Sequence, residues 1–324
     1  MDKVKKQHFV PQGYLRKFAN AREQLYVFDK YNRRSFISAV RDVANKKYFY
    51  DFGSDVIEEI AAHMDTHPEL SLTSEERQRL LDPQRIEHQL GEKMDGRFPS
   101  LLSEIILAAE QKGMMTREQK HELSVLLSVQ MLRLPRQRQY LIEVYEKTVK
   151  TASQRMLAMK YGMEAMNSVR VKFNEKYASL HNGEMIFNSD WLHTYSRVLA
   201  MHIWRIGKIT TDLALYTSDN PVVMHSHLPQ DSYGIGSPGI EICFPLNPQY
   251  ILIMCDKGTF TSLASLDRKL VLITESNVTF FNSLQVNQCT QQIYSSNGQY
   301  TLAAEMCAAN PLLSIPQKDL LVVH

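Results

Sequence analysis

The sequence predicts an α+β fold: a mainly helical middle flanked by a short N-terminal β-hairpin and a C-terminal β-rich part that ends in a helix. Three observations carry this. Between residues 54 and 206 the apolar residues recur at threes and fours, the spacing of a helix face. Before and after that stretch, aromatic and β-branched residues gather in short runs. Gly, Pro and Ser clusters punctuate the last third, as they do between short strands. A length of 324 residues suits two small domains or one composite domain. We read one composite domain over 1–324: a basic β-rich segment 1–53, a helical region 54–207, and a β-rich region 208–324 with a C-terminal helix.

Taken in order, Gln24-Leu25-Tyr26-Val27-Phe28-Asp29 alternates in part, Lys30–Arg34 supplies a turn, and Ser35-Phe36-Ile37 returns, so a hairpin is expected. Lys47-Tyr48-Phe49-Tyr50 is a short aromatic run bounded by Asp51 and Gly53. Ser54 then opens a helix with acids in its first turn. A long helix is predicted over Arg85–Lys112, weakened at Gly91, Gly96 and Pro99 and ended by Gly113. Thr116 caps the next helix, which carries Leu123, Leu126, Leu127, Met131 and Leu134, and Pro135 is expected to end or kink it. Helical runs follow over Tyr140–Leu180 and Asp190–Ile206. Past Gly207, short β-rich runs alternate with turns, and Glu275–Tyr294 reads as the last helix, with Val278, Phe281 and Leu284 inward. The tail after Asn297 carries no clear pattern, and no internal repeat is present.

A hydrophobic share of 44% and a charged share of 22% are ordinary for a globular protein and exclude disorder, collagen-like repeats and disulfide scaffolds. No window approaches the ~18 consecutive apolar residues of a membrane helix. No membrane partner is therefore expected, and the cytoplasm is the expected address. Cys243, Cys255, Cys289 and Cys307 are widely spaced and form no Cys-x-x-Cys pair, so reduced, partly buried thiols are expected. The net charge of +2 conceals a polarity. Residues 1–50 hold 12 Lys/Arg against four Asp/Glu, a balance of +8, whereas residues 210–324 hold four against nine, a balance of −5. A basic end fits either a polyanion partner or an internal complement to the acidic end.

The opening Lys6-Gln7-His8-Phe9-Val10-Pro11-Gln12-Gly13-Tyr14-Leu15-Arg16-Lys17-Phe18 carries a Gln-His-x-Val-Pro string followed by Tyr-Leu and Phe. Three further blocks follow: Gln130-x-x-Arg133-x-Pro135-Arg136, Thr217-Ser218-Asp219-Asn220-Pro221 and Phe244-Pro245-Leu246-Asn247-Pro248. In these blocks and their order, the chain resembles the bacterial and phage family catalogued as domain of unknown function 4238, from residue 6 to at least 248. That resemblance supplies no activity and no catalytic residue.

Read for chemistry, the same blocks give the candidate residues. His8 sits on an extended segment, because a following proline disfavours helix, and can either project as a base or hold the amino terminus to the core. Its neighbourhood is also similar to the catalytic strand of His-Asn-His nucleases over four residues. Asp219 can orient a histidine or hold a metal, and Asn220 lies beside it; Ser-Asp-Asn-Pro is equally ordinary turn chemistry. Gln130 and Arg133 lie one helical turn apart with Arg136 and Arg138 following, a set of forks suited to phosphate or carboxylate, or else a solvated helix end. Gln7, Tyr14 and Arg16 complete the expected substrate-binding set beside Gln130, Arg133, Arg136 and Asn220. Glu58, Glu59 and His63 share a helix face, and His225 and His227 alternate; either could contribute metal ligands, but neither shows a full set. Gly234-x-Gly236-x-x-Gly239 has no helix after it and reads as a turn.

Two functions are expected from this. The first is a phosphodiester hydrolase, nuclease-like and set in bacterial defence or a mobile element. His8 would act as base, Asp219 as orienter or ligand, the arginines as phosphate clamps, and a divalent metal as cofactor. Its basic N-terminal segment interleaves Phe9, Tyr14, Phe18, Tyr26, Phe28 and Tyr31, which suits backbone contact and base stacking. The alternative is a non-catalytic module that binds nucleic acid or protein through the same basic face. Oligomeric state is not legible in the chain.

Overall fold

In the computed structural model, which describes residues 3–164 and 169–316, an α+β fold wraps helices around three antiparallel-rich sheets. Strand β1 (Lys6–His8) pairs with β4 (Asn45–Lys47) in a two-stranded ribbon, and a short helix α1 (Gln12–Leu15) follows β1. The expected hairpin forms from β2 (Gln24–Asp29) and β3 (Arg34–Ala39), in register from Gln24 opposite Ala39 to Asp29 opposite Arg34. Its turn holds Arg33 at φ 49°.

The helical middle runs α2 (Ser54–Thr66), α3 (Ser74–Leu80), α4 (Arg85–Leu90), α5 (Arg97–Lys112), α6 (Arg117–Leu132), α7 (Pro135–Tyr161), α8 (Ala178–Phe187) and α9 (Ser189–Met201). The expected helix over Arg85–Lys112 is broken where its glycines stand: residues Gly91–Asp95 form a π-helical turn before α5 resumes. Pro99 falls in the first turn of α5, where its missing N–H has no helical partner to lose. Gly113, at φ 71°, then turns the chain out of the helix. Thr116 caps α6 through a reciprocal capping box with Gln119. Pro135 does not kink a continuing helix; it occupies the first position of α7, where its fixed φ helps. Helix α7 is 27 residues long and has no buried residue along it. The helical run expected over Tyr140–Leu180 stops at Tyr161 with α7; residues 165–168 lie outside the described residues, and residues 169–174 form no helix before a 3-10 turn at Glu175–Tyr177.

Two further expected helices stop early. Residues Ile203–Ile209 are β5 rather than the end of α9, and the indole N–H of Trp204 caps α9 by donating to the Leu199 carbonyl at 2.8 Å. Strand β5 lies between β9 (Tyr250–Cys255), antiparallel to it, and β10 (Lys269–Ile273), parallel to it. That sheet is completed by β8 (Ile240–Asn247) and β7 (Val223–Ser226), in the order β10-β5-β9-β8-β7. A side chain at Gly207 would meet Ile251 at 2.9 Å and Ile273 at 3.0 Å, so this central strand accepts only glycine there. The last predicted helix ends at Gln288 as α10 (Glu275–Gln288), and Gln292–Ser295 forms β11. The unpatterned tail holds α11 (Thr301–Ala309).

Strand β11 joins the ends of the chain. It pairs with β2 on one side and with β6 (Thr217–Ser218) on the other, giving the sheet order β3-β2-β11-β6. One apolar cluster runs through all three segments, from Val10, Tyr14 and Phe18 through Leu101, Leu123 and Leu127 to Trp204, Phe244, Leu252 and Tyr294. The four cysteines are free and buried. Among the described residues no helix is long and apolar enough to cross a membrane.

Candidate functional site

The opening motif is buried, and its polar groups are taken by the fold. The Gln7 carboxamide accepts from the Tyr50 backbone N–H at 2.6 Å and donates to Asp51. His8 Nδ1 stands 3.4 Å from the Gln12 amide, while its buried Nε2 has no hydrogen-bond partner among the described residues. Burial, and then the positive charge of Arg133, lowers the His8 pKa to about 4, so the ring is neutral at neutral pH. Arg133 donates to the His8 carbonyl at 2.5 Å and pairs with Asp95 at 2.6 Å, while Gln130 donates to the Phe9 carbonyl at 3.0 Å. Burial works against the Arg133 charge, and Asp95 outweighs it, so the guanidinium pKa rises. The Tyr50 hydroxyl closes the cluster on the Arg133 carbonyl. Gln130 and Arg133 therefore grip backbone, and the open anion fork expected of Arg133 is replaced by an internal clamp.

Tyr14 makes the second junction. Its hydroxyl lies 2.7 Å from Thr217 Oγ1 and donates to the Pro245 carbonyl at 2.8 Å, while its ring stacks on Phe244 at 4.9 Å. Phe9, Tyr14, Phe18 and Phe28 are core side chains, so the expected stacking surface of the N-terminal segment reduces to the half-buried Tyr26 and Tyr31. Arg16 is exposed and pairs with Glu23.

Asp219 is wholly buried elsewhere in the fold. Its carboxylate accepts from the backbone N–H groups of Thr290, Gln291 and Gln292 at 2.7, 2.8 and 3.0 Å. Burial pushes its pKa up against those three donors and nearby Lys30. Asn220 donates to the Gln288 carbonyl at 2.9 Å. Helix α10 reads this whole loop: Asn282, Gln285 and Gln288 bond the backbone at Ala214, Tyr216, Pro221 and Met224. Polar residues at that helical spacing were the available signal, and the apolar pattern of α10 hides them. Thus Gln7, His8, Tyr14, Gln130 and Arg133 form one assembly, Asp219 and Asn220 another, and no hydrogen bond joins His8 to Asp219.

Among the described residues no three of His, Cys, Asp and Glu converge to hold a metal ion, so the side chains present do not fit the divalent ion of the hydrolase reading. Glu59 is engaged with Lys176 and Tyr177. His225 and His227 lie ring to ring at 4.8 Å, with His227 3.5 Å from Glu241.

One cavity of about 510 Å³ lies between α10 and α11, lined by Tyr216, Asn282 and Glu305, and three others gather around the first turn of α7. The first of these three, also about 510 Å³, is lined by Lys30, Tyr31, Lys46 and Arg136, with Asn287 and Thr290. A second, of about 490 Å³, is lined by Arg136, Gln137, Tyr140, Tyr195, Asn220, Tyr233 and Gln288. Arg136 borders both and makes no salt bridge or side-chain hydrogen bond among the described residues. Lys46 and Gln139 continue the first cavity into a third of about 380 Å³ beside Arg138, whose guanidinium stacks on Phe49 at 4.8 Å. Lys30 is itself buried and donates to the Cys289 carbonyl at 2.5 Å. Burial, and then Arg138, lowers the Lys46 pKa against the opposing pull of Asp219. Among the described residues the salt bridges made by bases of segment 1–50 are Lys6–Asp42, Arg16–Glu23 and Arg41–Asp42, all local, while the charge of Lys30 acts on Asp219 of the acidic end. Of the expected site residues, Arg136 and Asn220 border this groove; Lys30, Lys46, Tyr140, Tyr195 and Tyr233 join it from distant segments.

Compared with known proteins, residues 6–299 match the model of a family described as "Protein of unknown function (DUF4238)". No curated protein and no solved structure matches the chain.

Proposed function

Since the chain belongs to the DUF4238 family, whose description assigns no activity, we propose from its own groove that it is a nucleic-acid-binding protein that holds a phosphodiester backbone between Lys30, Lys46 and Arg136. The observation that carries this is the cavity lined by those three cations, none of which makes a salt bridge among the described residues. Concave basic surface concentrates polyanions, and an arginine fork grips phosphate oxygens in pairs. Release of condensed counterions supplies the affinity. The cytoplasm is the proposed setting, where the four buried cysteines remain thiols.

The hydrolase reading has less support, because the His8 ring and the Asp219 carboxylate are both turned into the fold. Binding of a labelled 20-nucleotide strand, DNA or RNA, followed by anisotropy across salt concentrations, tests the proposal. Log affinity should fall linearly with log salt, and Arg136→Ala and Lys46→Ala should each lower that slope by about one. Affinity independent of salt, or unchanged in the double variant, overturns it. Strand cleavage in the same samples with Mg²⁺ or Mn²⁺ would move the chain to the hydrolases.

A further inference from the structure

We infer that the tyrosine-lined half of the groove takes an unpaired nucleobase, so that the ligand is single-stranded rather than duplex nucleic acid. This rests on the backbone-binding reading above and names its substrate class. The two halves of the groove differ in chemistry. The first is cationic, while the second presents the rings of Tyr140, Tyr195 and Tyr233. Arg136 stands between them, where a phosphate linking two nucleotides would lie.

Tyr140 and Tyr233 are 41% and 45% exposed and line the second cavity, and no ring stacks on either among the described residues. Every nucleobase has a π-face to offer such a ring, whereas a base inside a duplex has both faces covered by its neighbours. Tyr195 closes the same wall; burial, and then nearby Tyr140, raises its pKa. Polar groups for the base edge are also in place. The buried Asn220 spends its amide nitrogen on the Gln288 carbonyl, while its Oδ1 has no hydrogen bond among the described residues and can accept from a base amino group. Both sides of the Gln288 carboxamide are committed to the backbone of Met224, so the wall behind the base is fixed. Cavities of 510 and 490 Å³ each fall within the roughly 300–1,000 Å³ of small-ligand sites, so together they hold more than one such unit.

The test measures four probes against the full chain: a single strand of mixed sequence, the same strand with every base removed, the corresponding duplex, and free nucleoside monophosphates. The intact strand should bind tighter than the abasic strand by roughly 5- to 150-fold for each stacked base. It should also outbind the duplex. Tyr140→Ala and Tyr233→Ala, both at exposed positions, should bring the intact strand down toward the abasic value. Equal affinity for intact and abasic strands overturns the base pocket while leaving the backbone reading standing. Tighter binding of the duplex overturns it as well. A monophosphate that competes at the concentration of the strand overturns the polymer and assigns the groove to a small nucleotide. If none of the four binds, the backbone reading itself fails.

Discussion

The guanidinium of Arg133 donates to the carbonyl oxygen of His8, 125 positions earlier in the chain, while paired with the Asp95 carboxylate. One buried side chain thus fixes β1, the π-helical turn before α5, and the end of α6 together. Removing the charge leaves Asp95 unpaired and the His8 carbonyl unsatisfied. Arg133→Met should cost about 3–5 kcal/mol in urea unfolding. Arg133→Lys, which keeps the charge and loses the fork, should recover only part of that loss. A change below about 1 kcal/mol for Arg133→Met would show that the clamp contributes little.

Tyr14→Phe keeps the stack on Phe244 and deletes only the hydroxyl that joins Thr217 and the Pro245 carbonyl. Leaving those buried groups without a partner should cost about 1–3 kcal/mol. Thermal unfolding measures this directly. Thr217→Val in the Tyr14→Phe background should cost less than in the parent, because the shared bond is already gone.

His8 and Glu87 should pull stability in opposite directions over nearly the same mildly acidic range. The folded His8 pKa, about 4, lies below its ordinary 6.5, so its contribution is present above pH 6.5 and is lost as pH falls toward 4. Glu87 behaves in the opposite sense. Burial lifts its pKa from 4.5 to about 7, so the folded state holds its proton more tightly and stability is lost as pH rises from 4.5 through 7. The His8 effect should reach about 3 kcal/mol, and the partly solvent-screened Glu87 effect about half that. Urea unfolding from pH 4 to 8 should show stability rising with pH more steeply in Glu87→Gln, which keeps only the His8 effect, and falling with pH in His8→Gln, which keeps only the Glu87 effect. Identical pH profiles in parent and variants would contradict both assignments.

Asp219→Asn replaces one carboxylate oxygen with an amide that faces backbone N–H groups of Thr290, Gln291 or Gln292 donor to donor. Bonds from N–H to a charged acceptor are worth roughly 1.5–3 kcal/mol each and do not add fully. A loss of about 2–4 kcal/mol in thermal unfolding is expected, with amide exchange at 290–292 accelerated most. Unchanged exchange there would show that β11 and its neighbours hold the turn without the carboxylate.

Where local pattern and tertiary demand agreed, the chain was readable. The β2–β3 hairpin contains its own partner within sixteen residues, and the Thr116–Gln119 box is complete within four. Trp204 shows the opposite case. It follows a helical run without a break, and its strand partner Met254 lies fifty residues on, so spacing alone extends α9 through it. Residues 292–295 fail for the same reason, since β2 and β6 pair with them from far away. The conspicuous motifs marked residues of consequence, but their polar atoms are spent on backbone. The groove is mostly hidden because Lys46, Tyr195 and Tyr233 come from a strand, a helix and a loop far apart in the chain, and only Tyr31, Arg136 and Asn220 stand out in the sequence as binding candidates.

The placement of Tyr14 also orders events in time. Its hydroxyl and ring partners are Thr217, Phe244 and Pro245. A ribosome adding 5–20 residues per second makes those partners on the order of ten to fifty seconds after Tyr14 itself. During that interval Phe9, Tyr14 and Phe18 have no finished cavity to enter, although they are translated early. Folding of this chain therefore cannot proceed strictly from its beginning: the opening segment waits in the growing polypeptide, and its docking closes the core only after residue 245 has emerged.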